Sequence, residues 1–426
     1  MSRSSHLGQS FDAETVAAQL FDDIAAFSPD TAGISRPAFS KTETKTLKYL
    51  EDYARGQGLS VQYDAGQNAV FSLPDDADAS KYMLVGSHVD SVPNGGNFDG
   101  LAGVIAGLLC LARARHAGIR FAKPVKVIAM RAEESAWFGP CYIASKALLG
   151  KLDEDELQSV HKGDGRSLSS HMSDIGINMN QVHQHRPLID PDSIESYIEL
   201  HIEQGPLLVE KDMPAAVVSG IRGNIRHKRI RCVGEAGHSG AVPRAYRKDP
   251  VLAMADLLTR LDESWLTILQ KGEDLVLTAG MVETDRERHA LTRIPDLVDF
   301  SLDLRSQSAE ALNDVRSLLM QEIRSVERER GVTFQLDKEL HTAPALCNKQ
   351  MVEGLSASMA HVRQEPFTMP SGGGHDAAVF ANAGIPSAMV FVRNRNGSHN
   401  PDEAMEIPDL IAGTDIIFNY LTEVVQ

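Results

Sequence analysis

Short motifs that combine histidine with carboxylate residues recur along this chain, and the first of them lies between Gly86 and Ser91. It contains His88 and Asp90, and Asp99 follows a few residues later. His88 and Asp90 are two residues apart, so on an extended backbone they share one face. A carboxylate beside a histidine can fix the tautomer of a metal-binding imidazole. The same pattern also fits a merely polar strand end, and the other motifs have to decide between the two interpretations.

Three further clusters have a similar composition: Glu133-Glu134, Glu199 with His201, and the run Ser398-His399-Asn400-Pro401. Taken singly, adjacent carboxylates are most often a solvated surface pair, and a histidine in such a run is most often a turn residue. Glu133 and Glu134, however, directly follow an apolar segment, where solvated charge is less expected. Neighbouring carboxylates also point in different directions, so one can bind a metal while the other faces a reacting water molecule.

Together the clusters supply three histidines and two or three carboxylates, which is the donor set of a site for two metal ions. Imidazole and carboxylate groups suit Zn²⁺, and a carboxylate-rich pair also admits Mn²⁺ or Co²⁺. One carboxylate would have to bridge the two ions, which lie about 3.5–4 Å apart in such sites.

Bringing these clusters together requires a sheet whose strands end at one edge. Strands that end beside the clusters are predicted at Tyr82–Val85, Pro124–Met130, Ser193–His201 and Pro386–Val392. Helical patterns separate them, and the small-residue run from Gly100 to Gly107 is typical of a helix start. This alternation favours an α/β fold with a mixed sheet and helices on both faces. Open α/β sheets carry their chemistry at the carboxyl ends of the strands.

The pattern changes between residues 222 and 338. Strand-like and helical runs alternate there in the order β-α-β-β-α-β, at Ile225–Val233, Pro250–Leu261, Asp274–Glu283, Leu297–Arg305, Ser308–Arg328 and Val332–Leu340. This order resembles a ferredoxin-like α+β sandwich inserted into the first domain. We therefore expect a catalytic domain made of residues 1–221 and 339–426, and an inserted domain made of residues 222–338.

Length and charge narrow the classes of function. The chain has 426 residues, enough for two domains, and its formal net charge is −16, from 58 acidic and 42 basic residues. Such a charge makes nucleic acid and anionic membranes poor general partners. One strand is basic nevertheless, and it favours either a solvated or inter-subunit face or a feature for an anionic substrate. Its arginines are Arg222, Arg226, Arg229 and Arg231.

Cysteine usage and the N-terminus favour a cytoplasmic protein. No two cysteines are spaced as C-x-x-C, and most lie in apolar or strand-like surroundings, as is typical of reduced thiols. They are Cys110, Cys141, Cys232 and Cys347. Met1–Ser10 is polar and lacks the apolar stretch of a signal peptide. The longest uncharged apolar stretch, Leu101–Ala112, is too short to span a bilayer.

In order and spacing, the motifs resemble those of the M20 peptidase-like metallohydrolases, and the resemblance covers nearly the whole chain. The runs that carry it are His88-x-Asp90, Asn97-Phe98-Asp99-Gly100, Glu133-Glu134, Glu199-Leu-His201-Ile-Glu-Gln-Gly-Pro206, Ala236-Gly-His238-Ser-Gly240 and Gly397-Ser-His399-Asn-Pro401. More narrowly, the chain is similar to the amidase/hydantoinase/carbamoylase branch. That branch includes N-carbamoyl-L-amino-acid hydrolases, β-ureidopropionases and allantoate amidohydrolases. Peptidases of the wider family usually carry an acidic ligand where His201 stands.

The resemblance implies a dinuclear metallohydrolase that binds two divalent ions per subunit, either zinc or manganese, cobalt or nickel. One ion would be held by His88, Asp99 and His201. The other would be held by Asp99, Glu134 and His399, so that Asp99 bridges the two ions.

It also implies roles for residues that do not bind metal. Asp90 would orient His88, Glu133 would be the general base, and His238 of the inserted domain would steady the developing oxyanion. Arg305 would bind a substrate carboxylate, to which a guanidinium can donate two parallel hydrogen bonds. The remaining substrate-binding positions would be Gln204, Gly373 and Gly374.

Three positions depart from the family pattern. Thr292 stands where the family usually has an asparagine that contacts substrate, so we expect Thr292 to bind substrate differently. Asp296 replaces the usual glycine after Pro295, and Trp137 stands where many members have an arginine. The metal ligands and the base are retained. We therefore expect activity, and the departures bear on the choice of substrate.

The leading hypothesis is a metal-dependent amidohydrolase that cleaves a linear C–N bond of an N-carbamoyl amino acid or a related ureido acid. An N-acyl-amino-acid amidase or dipeptidase of the same fold is the alternative, and His201 argues against it. A non-catalytic metal- or ligand-binding protein is a third interpretation, but such a protein would not need Glu133. By resemblance, the partner is a small ureido or amide substrate with a carboxylate, and the inserted domain is both the lid and the dimerisation surface of a homodimer.

Overall fold

The computed structural model describes residues 11–423, so the prediction that Met1–Ser10 is no signal peptide falls outside the described residues. The chain divides into two compact units. The first comprises the described residues up to Gly220 and those from Leu346 onward, and the second comprises Ile221–Ala345. The second unit continues past the expected end at residue 338, because a short strand at Leu340–Thr342 pairs within its sheet.

The helices and strands are numbered along the whole chain. Before the second unit they are α1 (Ala13–Phe27), α2 (Lys41–Gly56), β1 (Ser60–Tyr63), β2 (Ala69–Ser72), β3 (Tyr82–His88), α3 (Leu101–Ala117), β4 (Val125–Met130), α4 (Ile143–Leu148), α5 (Glu154–Leu157), α6 (Leu168–Asp174), α7 (Met179–His183), β5 (Ile194–Ile202), α8 (Leu207–Glu210) and β6 (Ala215–Ile221). The second unit contains β7 (Gly223–Val233), β8 (Gly237–His238), α9 (Pro250–Gln270), β9 (Val276–Thr278), β10 (Val282–Thr284), β11 (Arg293–Ile294), β12 (Leu297–Ser306), α10 (Ala309–Arg330), β13 (Thr333–Leu336) and β14 (Leu340–Thr342). The chain then returns to the first unit with β15 (Ala345–Leu346), α11 (Lys349–His361), β16 (Thr368–Ser371), α12 (Asp376–Asn382), β17 (Ser387–Val392) and α13 (Ile407–Glu423).

Capping residues set the ends of the first helices. Asp12 caps α1 by accepting a hydrogen bond from the backbone N–H of Thr15 at 3.1 Å. Ser40 caps α2 in the same way, through the N–H of Glu43 at 3.2 Å. α3 ends at Ala117, and Gly118 after it takes the left-handed conformation that glycine adopts at helix C-termini.

A mixed sheet organises the first unit. Its strand order is β1-β2-β4-β3-β5-β17-β6-β15, and β16 pairs with β6. The central strands β4, β3, β5 and β17 are parallel to one another, whereas β2 and β6 run antiparallel to this central set. β3 and β17 are buried along their whole length, as expected of parallel strands that are covered on both faces.

Helices cover both faces of this sheet. α1, α3, α11 and α13 form an apolar core against one face, to which β5 contributes Ile198 and Leu200. Because side chains alternate along a strand, Tyr197 points to the other face, where it stacks on Phe380 of α12 with ring centroids 4.1 Å apart. α3 lies so close to β5 that a Cβ atom on Gly103 would come within 2.1 Å of the Leu200 carbonyl oxygen. The predicted mixed α/β sheet with helices on both faces is thereby confirmed.

The second unit is an antiparallel sheet with two helices packed against it. The strand order is β10-β12-β7-β13, and β9 and β14 pair with β12 and β7. Leu257 of α9 and Leu319 of α10 share its apolar core with Phe300 of β12. A single strand is expected at Asp274–Glu283, but the structure has two strands there, β9 and β10. The chain between them contains Gly280, and each strand pairs separately with β12. A separate ribbon joins β8 to β11.

The apolar helices and the cysteines bear on the predictions about membrane spans and reduced thiols. Among the helices described between residues 11 and 423, none is both long and apolar enough to cross a membrane. The four cysteines all lie in that part of the chain, and each is a free thiol.

Candidate metal centre and active site

Four adjacent parallel strands deliver the candidate site residues to one edge of the sheet. β3 ends at His88, and His201 is the penultimate residue of β5. Glu133 and Glu134 follow β4, and His399 follows β17 in a loop. Asp99 lies just before α3, which begins at Leu101. The order of the strands therefore explains why residues more than 300 positions apart in the sequence meet.

The first candidate donor group consists of His88, Asp99 and His201, which are all buried. The Oδ1 atom of Asp99 lies 3.1 Å from Nε2 of His201 and 3.5 Å from Nε2 of His88. The backbone carbonyl of Ile202 is 2.9 Å from Nδ1 of His201. That carbonyl can accept the hydrogen of Nδ1, which puts the lone pair of the neutral ring on Nε2, the atom that a metal would bind. In this structure Nε2 accepts the backbone N–H of Gly100 at 3.3 Å.

The second candidate donor group consists of Asp99, Glu134 and His399. Nε2 of His399 lies 3.4 Å from Oδ2 of Asp99 and 3.3 Å from Oε1 of Glu134. Asp99 thus belongs to both groups and presents a different oxygen atom to each. His399 differs from the other candidate ligands because its side chain is 52% exposed.

A glycine allows the first group to form. Gly100 has φ of 66°, and a Cβ atom on it would lie 2.4 Å from three atoms of the His88 ring. Any other residue would displace His88, and the left-handed conformation would itself be strained. The close approach of the His88 ring therefore explains why a glycine follows Asp99 in the sequence.

The donor atoms are arranged as metal ligands would be. Zinc binds imidazole nitrogen and carboxylate oxygen at about 2.0–2.1 Å, so two ligands of a tetrahedral ion are separated by about 3.3 Å. The four distances between histidine nitrogen and carboxylate oxygen atoms within the two groups are 3.1, 3.3, 3.4 and 3.5 Å. The imidazole and carboxylate chemistry and these separations both fit divalent ions. Zinc, manganese and cobalt all accept this donor set.

The carboxylates and imidazoles of the site shift one another's pKa values at the positions where metals would bind. Burial raises the pKa of Asp99, but the imidazole of His201 and those of His399 and His88 outweigh it and hold that pKa well below its usual value. Burial opposes the charge on His88, but the carboxylates of Glu133, Asp90 and Asp99 raise its pKa well above the ordinary value. Without metal, protonated imidazoles therefore neutralise the carboxylates.

This arrangement predicts that metal binding releases protons. Hydrogen bonds to Asp99 and Glu134 raise the pKa of His399 to about 10, and only the neutral imidazole binds a metal. Affinity for the second ion should therefore rise about tenfold per pH unit from neutral pH up to that value, above which His399 is already neutral. Calorimetric zinc titrations in buffers of different ionisation enthalpy would measure the released protons. In His399→Ala the release should fall by about one proton, and an unchanged release would contradict this assignment.

Asp90 makes more contacts than a residue that only orients His88. Nδ1 of His88 lies 3.3 Å from Oδ1 of Asp90 and 3.2 Å from its backbone oxygen. The same carboxylate also accepts the backbone N–H groups of Glu133 at 2.9 Å and Glu134 at 3.0 Å. Asp90 therefore connects the first donor group to the segment that carries the candidate base. Oε2 of Glu133 lies 3.9 Å from Nε2 of His88.

Asp99 is itself held by side chains on other loops. Oδ2 accepts hydrogen bonds from Nε2 of Gln204 at 2.7 Å and from the hydroxyl of Ser398 at 2.5 Å. The buried carboxylate of Glu403 accepts from Ser398 at 2.7 Å and from the backbone N–H of Asp99 at 3.2 Å. Gln204 was expected to contact substrate, and in this structure its amide is engaged with Asp99.

The two glycines expected at the pocket are closely packed against side chains. A Cβ atom on Gly373 would lie 2.6 Å from Oε1 of Gln204, and one on Gly374 would lie 1.6 Å from the hydroxyl of Tyr142. The structure therefore places Gly373 beside the Asp99–Gln204 pair. Their predicted roles in substrate binding stay predictions.

The other expected substrate residues belong to the second unit. His238 and Thr292 are both exposed. His238 ends β8 and Thr292 directly precedes β11, and the N–H of Ser239 donates to the Thr292 carbonyl at 2.9 Å. The guanidinium of Arg305 forms an ion pair with Asp303 at 2.8 Å. The predicted roles of these residues stay predictions.

Three arginines of the predicted basic strand form ion pairs. Arg226 and Arg231 lie on β7, and Arg222 directly precedes it. Arg222 pairs with Asp274, Arg226 with Asp303 and Arg231 with Asp299, at N–O distances between 2.6 and 3.2 Å. These pairs account for much of the strand's basic character in the structure.

The structure also adds buried residues behind the first donor group. The ring of His375 packs edge-on against His201 with centroids 4.4 Å apart, and its Nε2 lies 2.9 Å from the Ser371 hydroxyl. Glu199 accepts a hydrogen bond from Ser87 at 2.7 Å. Glu199 had a sequence signal in its spacing from His201. The only sequence signal for His375 was its place after a glycine-rich turn, which predicts a loop and not a contact with a candidate ligand.

A third cluster of histidines lies outside this site. His161, Asp164 and His171 bring donor atoms close together. Nδ1 of His161 already accepts the backbone N–H groups of Gly163 at 3.1 Å and Asp164 at 3.3 Å. The His161 ring stacks on Trp137, with an interplanar angle of 8°. These contacts explain its orientation without a metal.

Comparison with known proteins gives a consistent picture. The family model for peptidase family M20/M25/M40 matches residues 84–423. The chain is 31% identical to an N-carbamoyl-L-amino-acid amidohydrolase of Pseudomonas sp. over 91% of this chain and 92% of that protein. It is 30% identical to the allantoate amidohydrolase of Escherichia coli, over 92% of this chain and 93% of that protein. A crystal structure of a hydantoinase/carbamoylase-family amidase from Burkholderia multivorans superposes with a TM-score of 0.86 and 25% identity, covering 97% of this chain and 98% of that one. The chain therefore belongs to peptidase family M20/M25/M40, in the branch of the N-carbamoyl-L-amino-acid and allantoate amidohydrolases.

Proposed function

We propose that this protein is a metal-dependent amidohydrolase that cleaves the linear C–N bond of an N-carbamoyl amino acid or a related ureido acid. The observation that carries the proposal is the sharing of Asp99 between two donor groups, with Glu133 beside them. Hydrolases with two ions need a bridging carboxylate and a base near the reacting water. The activities named for the relatives from Pseudomonas and Escherichia coli support a ureido substrate in preference to a peptide.

The proposed metal centre consists of His88, Asp99 and His201 for one ion and Asp99, Glu134 and His399 for the other. When bound, such ions lower the pKa of a water molecule to about 7 and polarise a carbonyl group. The protein's part is to hold three imidazoles and two carboxylates at fixed separations. The contacts of Ser398 and Gln204 to Oδ2 of Asp99 keep that carboxylate in place.

Glu133 is the proposed proton carrier. Burial, the main cause, raises the pKa of its carboxyl group well above the usual value, and the neighbouring Glu134 adds to this while His88 opposes it. A carboxyl group whose pKa lies nearer the working pH than usual can both accept and return a proton. Glu133 takes a proton from the attacking water and delivers it to the leaving nitrogen. The water oxygen forms the new C–O bond, the C–N bond breaks, and the carbamate that remains decomposes to ammonia and carbon dioxide.

Three residues of the second unit complete the proposal. His238 would donate a hydrogen bond to the developing oxyanion, a role that typically contributes about 10²–10³-fold to the rate. Arg305 would bind the substrate carboxylate, and Thr292 would contact the substrate beside it. We also propose that the second unit is a lid and a dimerisation surface, that the protein is a homodimer, and that it acts in the cytoplasm.

Ammonia release tests this function directly. The purified protein, loaded separately with Zn²⁺, Mn²⁺ or Co²⁺, is incubated with a panel of N-carbamoyl amino acids and other ureido acids. A matched panel contains N-acetyl amino acids and dipeptides. Glu133→Gln serves as the control for contaminating activity. We expect release of ammonia from at least one ureido acid.

The two panels separate the proposed function from its alternative. Cleavage of N-acetyl amino acids or dipeptides with no ammonia from any ureido acid would contradict the ureido assignment and support the amidase or dipeptidase. Inertness on both panels, with two ions bound per chain, would contradict hydrolysis altogether.

A further inference from the structure

The segment that carries Glu133 and Glu134 is held in an unusual way. Four consecutive backbone N–H groups, of residues 131 to 134, each donate a hydrogen bond to a side-chain oxygen. The acceptors are Asn68 for Arg131 at 3.0 Å, Glu43 for Ala132 at 3.0 Å, and Asp90 for Glu133 at 2.9 Å and Glu134 at 3.0 Å. The chain leaves β4 at Met130, so the sheet does not fix the segment beyond that point.

Ala132 adopts a strained conformation in the middle of this segment. Its φ angle is 50°, in the left-handed region that residues with a Cβ atom disfavour. Ala132 is fully buried, and it directly precedes Glu133. Because the φ angle at Ala132 sets the direction of the chain that follows, a relaxed Ala132 would move the carboxylates of Glu133 and Glu134. Strain of this kind persists only where surrounding contacts enforce it.

Glu43 supplies the contact at the strained residue. It lies on α2, is completely buried, and presents one oxygen to the N–H of Ala132. Its other oxygen accepts from the guanidinium of Arg131 at 2.5 Å and from the N–H of Phe39 at 3.0 Å. Arg131 is buried too, and its Nε donates to the carbonyl of Gln67 at 2.7 Å. A buried ion pair thus fixes Glu43 in the position that Ala132 requires.

We propose that Glu43 is a positioning residue for the reaction, which acts by holding Ala132 in the left-handed conformation that places Glu133. This inference rests on the proposed function for its kinetic consequence, but its structural part does not. Glu43 touches neither the candidate metal ligands nor any reacting atom. Its effect reaches them through the backbone of residues 131–134.

Glu43→Gln keeps the size of the side chain and removes the charge. The amide keeps one acceptor oxygen and presents N–H groups where Arg131 and Phe39 also donate, so the three contacts cannot all remain. With saturating metal, we expect kcat for the ureido substrate to fall about 10–100-fold, because small misplacement of a catalytic group costs rates of that order. KM should change little. Asp52→Asn, which alters an exposed carboxylate of the same helix, is the matched control.

A second substitution tests whether Ala132 transmits the effect. Glycine adopts positive φ angles without strain, so Ala132→Gly removes the tendency of the segment to relax. We expect Glu43→Gln combined with Ala132→Gly to recover part of the lost kcat. If the kcat losses of the two single variants simply multiply in the double variant, the effect of Glu43 does not pass through Ala132, and the proposal is contradicted. Glu43→Asp keeps the ion-pair charge but shortens the side chain, and it replaces Glu43→Gln in the same comparison if the latter does not fold.

Hydrogen exchange provides a readout that does not depend on activity. In Glu43→Gln, the amides of residues 132–134 should exchange faster, while those of β3 and β5 stay as protected as in the wild type. Uniform loss of protection would mean a merely structural role, and unchanged kcat and exchange would overturn the proposal. If the wild type releases no ammonia from any ureido acid, the proposed function fails, and the exchange result still decides whether Glu43 holds the segment.

Discussion

Replacing Glu133 by glutamine should reduce turnover of a ureido substrate by about 10²–10⁴-fold, the range that general acid–base catalysis contributes. Glutamine has nearly the same shape, but its amide can neither accept the proton of the attacking water nor deliver one to the leaving nitrogen. The backbone of residue 133 would keep its hydrogen bond to Asp90, since that contact involves no side-chain atom of Glu133. The substitution therefore removes the proton carrier and leaves its position intact.

The metal content of Glu133→Gln decides what the loss of turnover means. Glu133 belongs to neither donor group, so the variant should bind as much metal per chain as the wild type when both are measured by mass spectrometry of the ions. Glu195→Gln is a suitable control, because that carboxylate is paired with Lys123 on the outside of the protein. If Glu133→Gln lost metal in proportion to activity, Glu133 would be a structural or ligand residue, and its assignment as the base would be wrong.

Replacing Asp99 by asparagine should have the largest effect on metal binding. Asp99 presents Oδ1 to His88 and His201 and Oδ2 to His399, so its loss weakens both donor groups at once. We expect affinity to fall by more than the roughly 10–100-fold that loss of a residue behind the ligands typically costs, and activity to fall with it. Competition with a chromophoric chelator would measure the affinity of each ion.

His399→Ala is the matched comparison for Asp99→Asn, because His399 belongs to the second group alone. The variant should retain one tightly bound ion per chain and lose the other. If Asp99→Asn also lost only one ion, Asp99 would not be shared, and the two donor groups would not form one centre.

Much of the first unit could be predicted from the sequence because its signals are local. The apolar run at Tyr82–Val85 gave the buried strand β3, and Gly100 marked the start of α3. β6 and the short helix α12 were not predicted. β6 pairs with β17, a strand far away in the sequence, and such pairing leaves no mark in a window of neighbouring residues.

The residues of the candidate site could likewise be predicted only in part. Residues with metal-binding chemistry in short motifs could be selected as candidate ligands from the sequence, and the structure places all five of them in two donor groups. The residues that hold those ligands could not be selected. Glu43, Glu403 and His375 act through backbone and side-chain contacts across many elements, and a lone glutamate on an amphipathic helix is normally a surface residue.

The position of β17 in the middle of the first sheet has a consequence for how the protein is made. β17 separates β5 from β6, but it is synthesised after the whole second unit. During translation, the edges of β5 and β6 that pair with β17 therefore remain unpaired until β17 is made. Meanwhile the second unit emerges, and it can fold from its own contiguous sequence. Unpaired strand edges expose a growing chain to aggregation. The nascent first unit should thus depend on chaperones until residue 392 has left the ribosome. The last candidate ligand, His399, is synthesised only after the sheet can close.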